Sequence, residues 1–142
     1  MGSREYDHLY CSRVCCTGGI KNALRLKDKH PEVDVYILYR DVRTYRTKEK
    51  YYREGRDKGI IFVRYDEDRK PEVRSDRNGL IVKVRDPILE RDLDLAADLL
   101  VLSSYMIPGE GTEDLAMMLK VPLNTDGFKS TQLLVMVDAA LD

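Results

Sequence analysis

The sequence has no tryptophan, only two phenylalanines and two histidines, and no long apolar run in its 142 residues. It also lacks an excess of one charge, since 24 lysines and arginines stand against 25 aspartates and glutamates. A net charge of -1 therefore argues against a nucleic-acid partner and against an acidic membrane surface. No segment approaches the roughly 20 apolar residues of a membrane span, and the polar first residues show no signal peptide. We expect a cytoplasmic protein with no membrane span.

Cysteine is scarce too, and all three cysteines fall in YCSRVCC, as Cys11, Cys15 and Cys16. An odd, clustered set does not suit the disulfide framework of a secreted domain. A helix is predicted from about residue 12 to 29, with Ser12 as its N-cap. Thiols at the positive end of a helix dipole should have lowered pKa values, which favours metal or cluster binding. Two alternatives stay open: cysteines that only pack in the core, and a redox-active thiol.

The ligand set of such a site is incomplete in this sequence. Iron–sulfur clusters commonly take four cysteines, as do many structural zinc sites, and this chain offers three. A fourth ligand would have to come from Asp7, His8, upstream residues or another chain. Gly18 and Gly19 follow inside the predicted helix, where each glycine costs about 1 kcal/mol relative to alanine. Either the backbone approaches a cofactor there, or the helix packs closely on a sheet.

The middle of the chain alternates extended and helical patterns. VDVYILYR (33–40) and IIFVRY (60–65) are apolar on both alternations, which predicts parallel strands covered on both faces. TKEKYYREGRDKG between them predicts an exposed helix that ends at a cap on Gly59. KPEVRS, GLIVKVRD and RDLDLAA are short alternating segments separated by turn signals, and they predict an antiparallel meander.

The last third of the chain is expected to complete the sheet. DLLVLSS (98–104) is apolar on both faces and is predicted to return to the main sheet as a strand. A short helix is predicted over residues 112–120 with Thr112 as its cap, and residues 133–137 fit a helix or a strand equally. Together these elements predict a single α/β domain over residues 1–142. Its fold is a Rossmann-like three-layer unit with a mainly parallel sheet plus an antiparallel β-meander.

One strand is missing from this pattern. The residues before the first helix are too polar to form the buried strand with which such a unit opens. Either the chain begins after that strand, or QLLVMVD near the end supplies it. An unpaired sheet edge at this position would favour a homodimer.

Basic residues follow the first predicted strand in YRDVRTYRTKEK, which contains Arg40 and Arg43. In a dinucleotide-binding unit this loop reaches the ribose, and an arginine there contacts a 2′-phosphate. No G-x-G-x-x-G loop precedes it, so a solvated basic surface is the simpler interpretation. No Ser-His-Asp arrangement and no carboxylate pair stands out, and we assign no catalytic residue.

Five segments together resemble the A subunit of heterodisulfide reductase, the flavin- and iron–sulfur-containing component of this enzyme in methanogens and related anaerobes: YCSRVCCTGGIKNAL, DVYILYRDVRTY, EKYYREGRDKGIIFVRYDED, VKVRDPIL and ADLLVLSS. The resemblance runs from Gly2 to about Phe128, after which the sequence departs from the family pattern. It implies a fragment that covers the nucleotide-binding-like half of a core similar to thioredoxin reductase. It also implies a 4Fe–4S cluster with Cys11, Cys15 and Cys16 as three ligands, the family's fourth cysteine lying upstream of GSR.

The resemblance carries further expectations about function. It implies FAD in the full-length family, other heterodisulfide reductase subunits as partners, and electron transfer towards reduction of the disulfide between coenzymes M and B. The fragment alone is expected to be inactive. Two alternatives stay open: a nicotinamide- or flavin-nucleotide-binding domain that uses Arg40 and Arg43, and a non-enzymatic module with structural zinc or no metal at the cysteines.

Overall fold

The structure, a computed structural model, describes residue 4, residues 8–76 and residues 79–129. The chain divides into two compact units, Met1–Tyr105 and Met106–Asp142. The first unit contains these elements: α1 (Cys15–Lys29), β1 (Tyr36–Tyr39), a 3-10 turn (Arg46–Lys48), α2 (Glu49–Asp57), β2 (Ile61–Arg64), β3 (Glu72–Asp76), β4 (Gly79–Asp86) and β5 (Arg91–Ala97). The second unit contains α3 (Thr112–Leu119).

A parallel pair of strands, β1 and β2, lies beside α1 and α2. Tyr36 is in register with Ile61, and the strands are joined through α2, which ends as predicted with Gly59 at a φ of 77°. The core of this part comprises buried residues from α1, from β1 and from the position just before β2: Ile20, Ala23, Leu24, Ile37 and Ile60. The prediction that both strands are covered on both faces is only half right. Tyr36 and Ile61 are 41% and 44% exposed, so the second face is open at this end of the pair.

The antiparallel meander is confirmed as β3-β4-β5. The central strand β4 buries Val82 and Val84, and Val82 is in register with Val73 on one side and Leu95 on the other. The turn from β4 to β5 is held by Asp86, whose Oδ1 accepts hydrogen bonds from the N–H groups of the second and third residues after it, at 2.8 and 3.1 Å. The alternation of apolar and polar residues was therefore sufficient to predict these strands.

The described part of the second unit contains a short helix followed by a tight turn. The helix α3 has Gly111 as its N-cap with a φ of 75°, so the predicted cap at Thr112 is wrong by one residue. Thr112 donates from Oγ1 to the carbonyl of Gly109 at 2.7 Å instead. In the turn, the Oδ1 atom of Asn124 accepts hydrogen bonds from the N–H groups of Asp126 and Phe128.

Two further predictions are wrong. The helix α1 begins at Cys15 with Val14 as its N-cap, because Arg13 has a left-handed φ of 59° that ends helical geometry before Ser12 is reached. Residues 98–104 form no strand, although they are strongly apolar. A strand requires a neighbouring edge to accept its hydrogen bonds, and none of the described strands pairs with this segment.

The mixed α/β class, with a parallel pair and an antiparallel meander, is confirmed. The three-layer Rossmann-like arrangement and the single domain stay predictions, and residues 133–137 lie outside the described residues. Within the part of the chain that the structure describes, none of the helices has the length and apolar content that a membrane crossing requires.

Candidate functional site

The three cysteines lie at the first turn of α1 and in the loop before it, and none of them forms a disulfide. Cys15 and Cys16 are its first two residues and are buried, whereas Cys11 lies in the preceding loop and is half-buried. The left-handed φ of Arg13 turns the chain between Cys11 and the helix. The N-cap, Val14, has no polar side-chain atom, and the first turn contains no acidic residue. The positive end of the helix dipole therefore has no side chain of its own to compensate it.

The Cys16 thiol is the best-defined member of this group. Its Sγ donates a hydrogen bond to the backbone carbonyl of Asp41 at 3.6 Å. Burial raises the pKa of the Cys16 thiol, a backbone hydrogen bond from Arg43 lowers it, and the neighbouring Cys15 and Cys11 thiols raise it further. The predicted lowering of the pKa is therefore wrong for Cys16, because desolvation outweighs the favourable helix N-terminus.

The loop after β1 brings Arg43 to the cysteines. Its guanidinium lies 3.5 Å from the hydroxyl of Tyr45 and 3.6 Å from a carboxylate oxygen of Asp41. The hydrogen bond with Tyr45 raises the pKa of Arg43, and the nearby Asp41 and Cys11 raise it as well. Arg43 is thus a permanent positive charge close to the thiols. The sequence had suggested it as a solvated surface residue or as a nucleotide contact.

Arg40 lies elsewhere, on a cleft of about 340 Å³ at the carboxyl ends of β1 and β2. Its guanidinium pairs with Glu67 at 2.6 Å, and Arg4 on the same cleft pairs with Asp41. The position is the one at which open α/β sheets bind ligands. A phosphate bound there would have to compete with carboxylates that already neutralise the two arginines.

The two glycines lie in the first turns of α1. Gly18 is exposed, and a Cβ added to it would meet no atom within 4 Å in the described part of the chain. Close packing of the helix on a sheet therefore does not explain Gly18. Gly19 is half-buried.

Sequence reasoning missed three residues at this site. Asp41 accepts the thiol hydrogen bond of Cys16, and Ser103 donates from Oγ to the carbonyl of Cys15 at 3.2 Å. Thr17 is only 8% exposed, and its Oγ1 has no hydrogen-bond partner among the described residues. Thr17 directly follows the cysteines in the sequence. A polar residue on a helix face that is otherwise predicted to be buried is the sequence signal by which Thr17 could have been identified.

Of the proposed fourth ligands, His8 packs in an aromatic group, with ring centroids 5.9 Å from Tyr10 and 4.8 Å from Tyr105. Asp7 lies outside the described residues. Among the residues that the structure describes, no group of three or more His, Cys, Asp or Glu side chains is arranged to hold a metal ion. The three thiols as placed therefore form neither a structural zinc site, which needs four ligands around one ion, nor a preformed cluster site.

No protein-family model matches the chain. Curated relatives do match it. The A subunit of ferredoxin:CoB-CoM heterodisulfide reductase from Methanosarcina acetivorans is 39% identical over 149 residues, which cover 100% of this chain and 18% of that protein. The iron–sulfur A subunit of CoB–CoM heterodisulfide reductase from Methanocaldococcus jannaschii is 39% identical over 137 residues, covering 90% and 20%. The second iron–sulfur A subunit of this reductase in Methanopyrus kandleri is 34% identical over 150 residues, covering 100% and 22%.

The chain therefore spans about a fifth of the length of the curated relatives that it matches. Two of these matches extend over the whole chain, so the similarity continues past Phe128, where the sequence predicted that it ends. The resemblance inferred from the motifs is confirmed: in sequence, the chain corresponds to a segment of the A subunit of heterodisulfide reductase.

Proposed function

We propose that this chain is an electron-transfer segment of a flavin and iron–sulfur oxidoreductase similar to the A subunit of heterodisulfide reductase. In this proposal Cys11, Cys15 and Cys16 are three ligands of a 4Fe–4S cluster. The observation that supports it best is the placement of three thiols, none of them in a disulfide, at one helix start, where Cys15 and Cys11 raise the pKa of Cys16. Relatives named as iron–sulfur subunits, and one named as a ferredoxin-linked reductase, support the same role.

The chemistry of the donor set suits a cluster. Thiolates are the soft ligands that iron–sulfur clusters require, and a bound cluster would supply one-electron transfer. Two features of the chain would stabilise the negative charge of the cluster. They are the positive end of the α1 dipole and the guanidinium of Arg43, which lies near Cys11. The backbone hydrogen bond from Arg43 to Cys16 is of the kind that stabilises a ligand sulfur.

Binding would be coupled to proton release. A thiol must lose its proton to become a ligand, and burial raises the pKa of Cys16. Cluster assembly should therefore be more complete at mildly alkaline than at acidic pH. Gly18 and Gly19 would let the backbone approach the cluster without steric conflict, since Gly18 faces open space.

Several parts of the proposal concern the whole protein. We infer that the fourth ligand comes from another part of the complete protein or from a partner protein, and that FAD and the other heterodisulfide reductase subunits complete the electron path. A reducing, cytoplasmic setting fits three cysteines that form no disulfide. We also propose that two copies of the chain form a homodimer through an edge of the β1-β2 pair that no described strand occupies.

The test is metal analysis of the chain purified and reconstituted without oxygen. We expect iron and acid-labile sulfide in equal amounts, with broad visible absorption that bleaches on reduction. Serine replacements of Cys11, Cys15 or Cys16 should each lower the iron content, whereas Ser12→Ala, in the same loop, should leave it unchanged. Zinc alone in the wild-type chain, or wild-type iron content in all three serine variants, would contradict the proposal.

A nucleotide-binding domain is the second candidate, and the cleft at the carboxyl ends of β1 and β2 is the observation in its favour. Calorimetry with NADPH and with FAD tests it. Binding that weakens in Arg40→Ala would support it. The ion pair of Arg40 with Glu67 leads us to expect no measurable heat with either nucleotide.

A further inference from the structure

A buried hydroxyl at the start of α1 has no role in the ligand set described above. Thr17 is the third residue of the helix and 8% exposed, and its Oγ1 has no hydrogen-bond partner among the described residues. Burying a hydroxyl without a partner is unfavourable, and valine has the same shape without this penalty. A threonine in such a place therefore indicates a partner that binds to the folded chain.

The usual local partner is absent for a clear reason. A threonine inside a helix commonly bonds to the carbonyl four residues earlier. For Thr17 that residue is Arg13, whose φ of 59° places it outside the helix. The next carbonyl, that of Val14, accepts the N–H of Gly18 at 2.8 Å. A carbonyl can accept two hydrogen bonds, but the hydroxyl of Thr17 is placed to use neither of these two backbone oxygens.

The surroundings of Thr17 are those of an anionic sulfur site. Thr17 shares the first helical turn with Cys15 and Cys16 and lies about 100° around the axis from Cys16, on the buried side of the helix. This turn has no acidic residue and no polar cap side chain, so its positive end also favours a negative group. Burial of the hydroxyl and the uncompensated helix start are two separate observations that point to the same ligand.

We propose, on the basis of the proposed function, that Thr17 is a positioning residue whose hydroxyl donates a hydrogen bond to an inorganic sulfide of a bound cluster, since it reaches none of the three cysteine sulfurs in the described residues. A donor to sulfur stabilises the reduced, more negative state more than the oxidised state. Thr17 therefore raises the reduction potential of the site.

Two substitutions separate the hydroxyl from the shape of the side chain. Thr17→Val removes the hydroxyl and keeps the volume, and Thr17→Ser keeps the hydroxyl. In the cluster-free chain, Thr17→Val should be at least as resistant to urea as the wild type, because it removes an unsatisfied group. A lower urea midpoint for Thr17→Val would show that the hydroxyl has a protein partner and would overturn the inference without reference to any cluster.

In the reconstituted chain, the midpoint potential is measured by optical titration. Thr17→Val should shift it to more negative values, Thr17→Ser should stay near the wild type, and Thr112→Val, which removes a hydroxyl from α3, should leave it unchanged. An unshifted potential in Thr17→Val, or equal shifts in both Thr17 variants, would refute the role of the hydroxyl alone. A wild-type chain that takes up no iron and sulfide even with an added thiol as the fourth ligand would instead refute the proposed function, and this inference with it.

Discussion

Replacing Gly18 by alanine distinguishes the structural from the functional use of a glycine in α1. Gly18 is the fourth residue of this helix and is exposed, and an added Cβ meets no described atom within 4 Å. Alanine is favoured over glycine in a helix by about 0.8–1.0 kcal/mol, and no packing penalty opposes it here. We expect the cluster-free Gly18→Ala chain to be more stable by up to about 1 kcal/mol.

The assay is urea unfolding of the cluster-free chain under reducing conditions. A small protein loses about 1–3 kcal/mol of stability per molar urea, so the midpoint should rise by roughly 0.3–1 M. Asn22→Ala is the matched control, because Asn22 is exposed in the same helix, and alanine there gains up to about 0.7 kcal/mol without touching the first turn. Both variants should therefore be stabilised.

The two variants should differ when the chain is reconstituted with iron and sulfide. If the backbone at Gly18 approaches the cluster, a methyl group at this position lowers the cluster content, whereas Asn22→Ala loads like the wild type. If the cluster-free Gly18→Ala chain were less stable than the wild type, the conclusion that an added methyl group fits at Gly18 without a clash would be wrong. A cluster content equal to that of Asn22→Ala would refute the role of Gly18 in cofactor binding.

Two further predictions concern the rest of the fold. Gly127 has a left-handed φ of 79°, and a Cβ added there would lie only 2.9 Å from Cγ of Pro108, so Gly127→Ala should destabilise the second unit by about 2–4 kcal/mol. Gly111→Ala is the control, because Gly111 also has a left-handed φ but an added Cβ meets no described atom within 4 Å, and it should cost about 1–2 kcal/mol. Equal losses of stability in thermal unfolding would show that the contact with Pro108 has no effect. A hydrogen bond from Lys83 lowers the pKa of Asp92, so its contribution to stability is present above the unfolded pKa and is lost as the pH falls through the folded one. Asp92→Asn should accordingly unfold more easily than the wild type at neutral pH but not at a pH well below the folded pKa of Asp92, and a difference that persists in strong acid would refute the ionic origin.

Local patterns predicted the regular elements well. The meander followed from alternation, and α2 with its Gly59 cap followed from a helical run that ends in glycine. The start of α1 was misplaced, because the left-handed φ of Arg13 is a property of the folded loop and has no signature in an arginine. The failure of residues 98–104 to form a strand has a different origin, since apolar composition indicates burial only where a partner edge is in place.

The sequence by itself determined the spacing of Cys11, Cys15 and Cys16 at a helix start, the glycines that follow them, and the correspondence to the A subunit of heterodisulfide reductase. These features are contiguous along the chain, so short-range geometry and motif comparison were sufficient. Only the tertiary structure decided the surroundings of the thiols. It places the loop after β1 against Cys16, which accounts for the contact with Asp41 25 positions away, and it buries that thiol so that its pKa rises. Desolvation and contacts between distant segments depend on the whole fold, and no local pattern contains them.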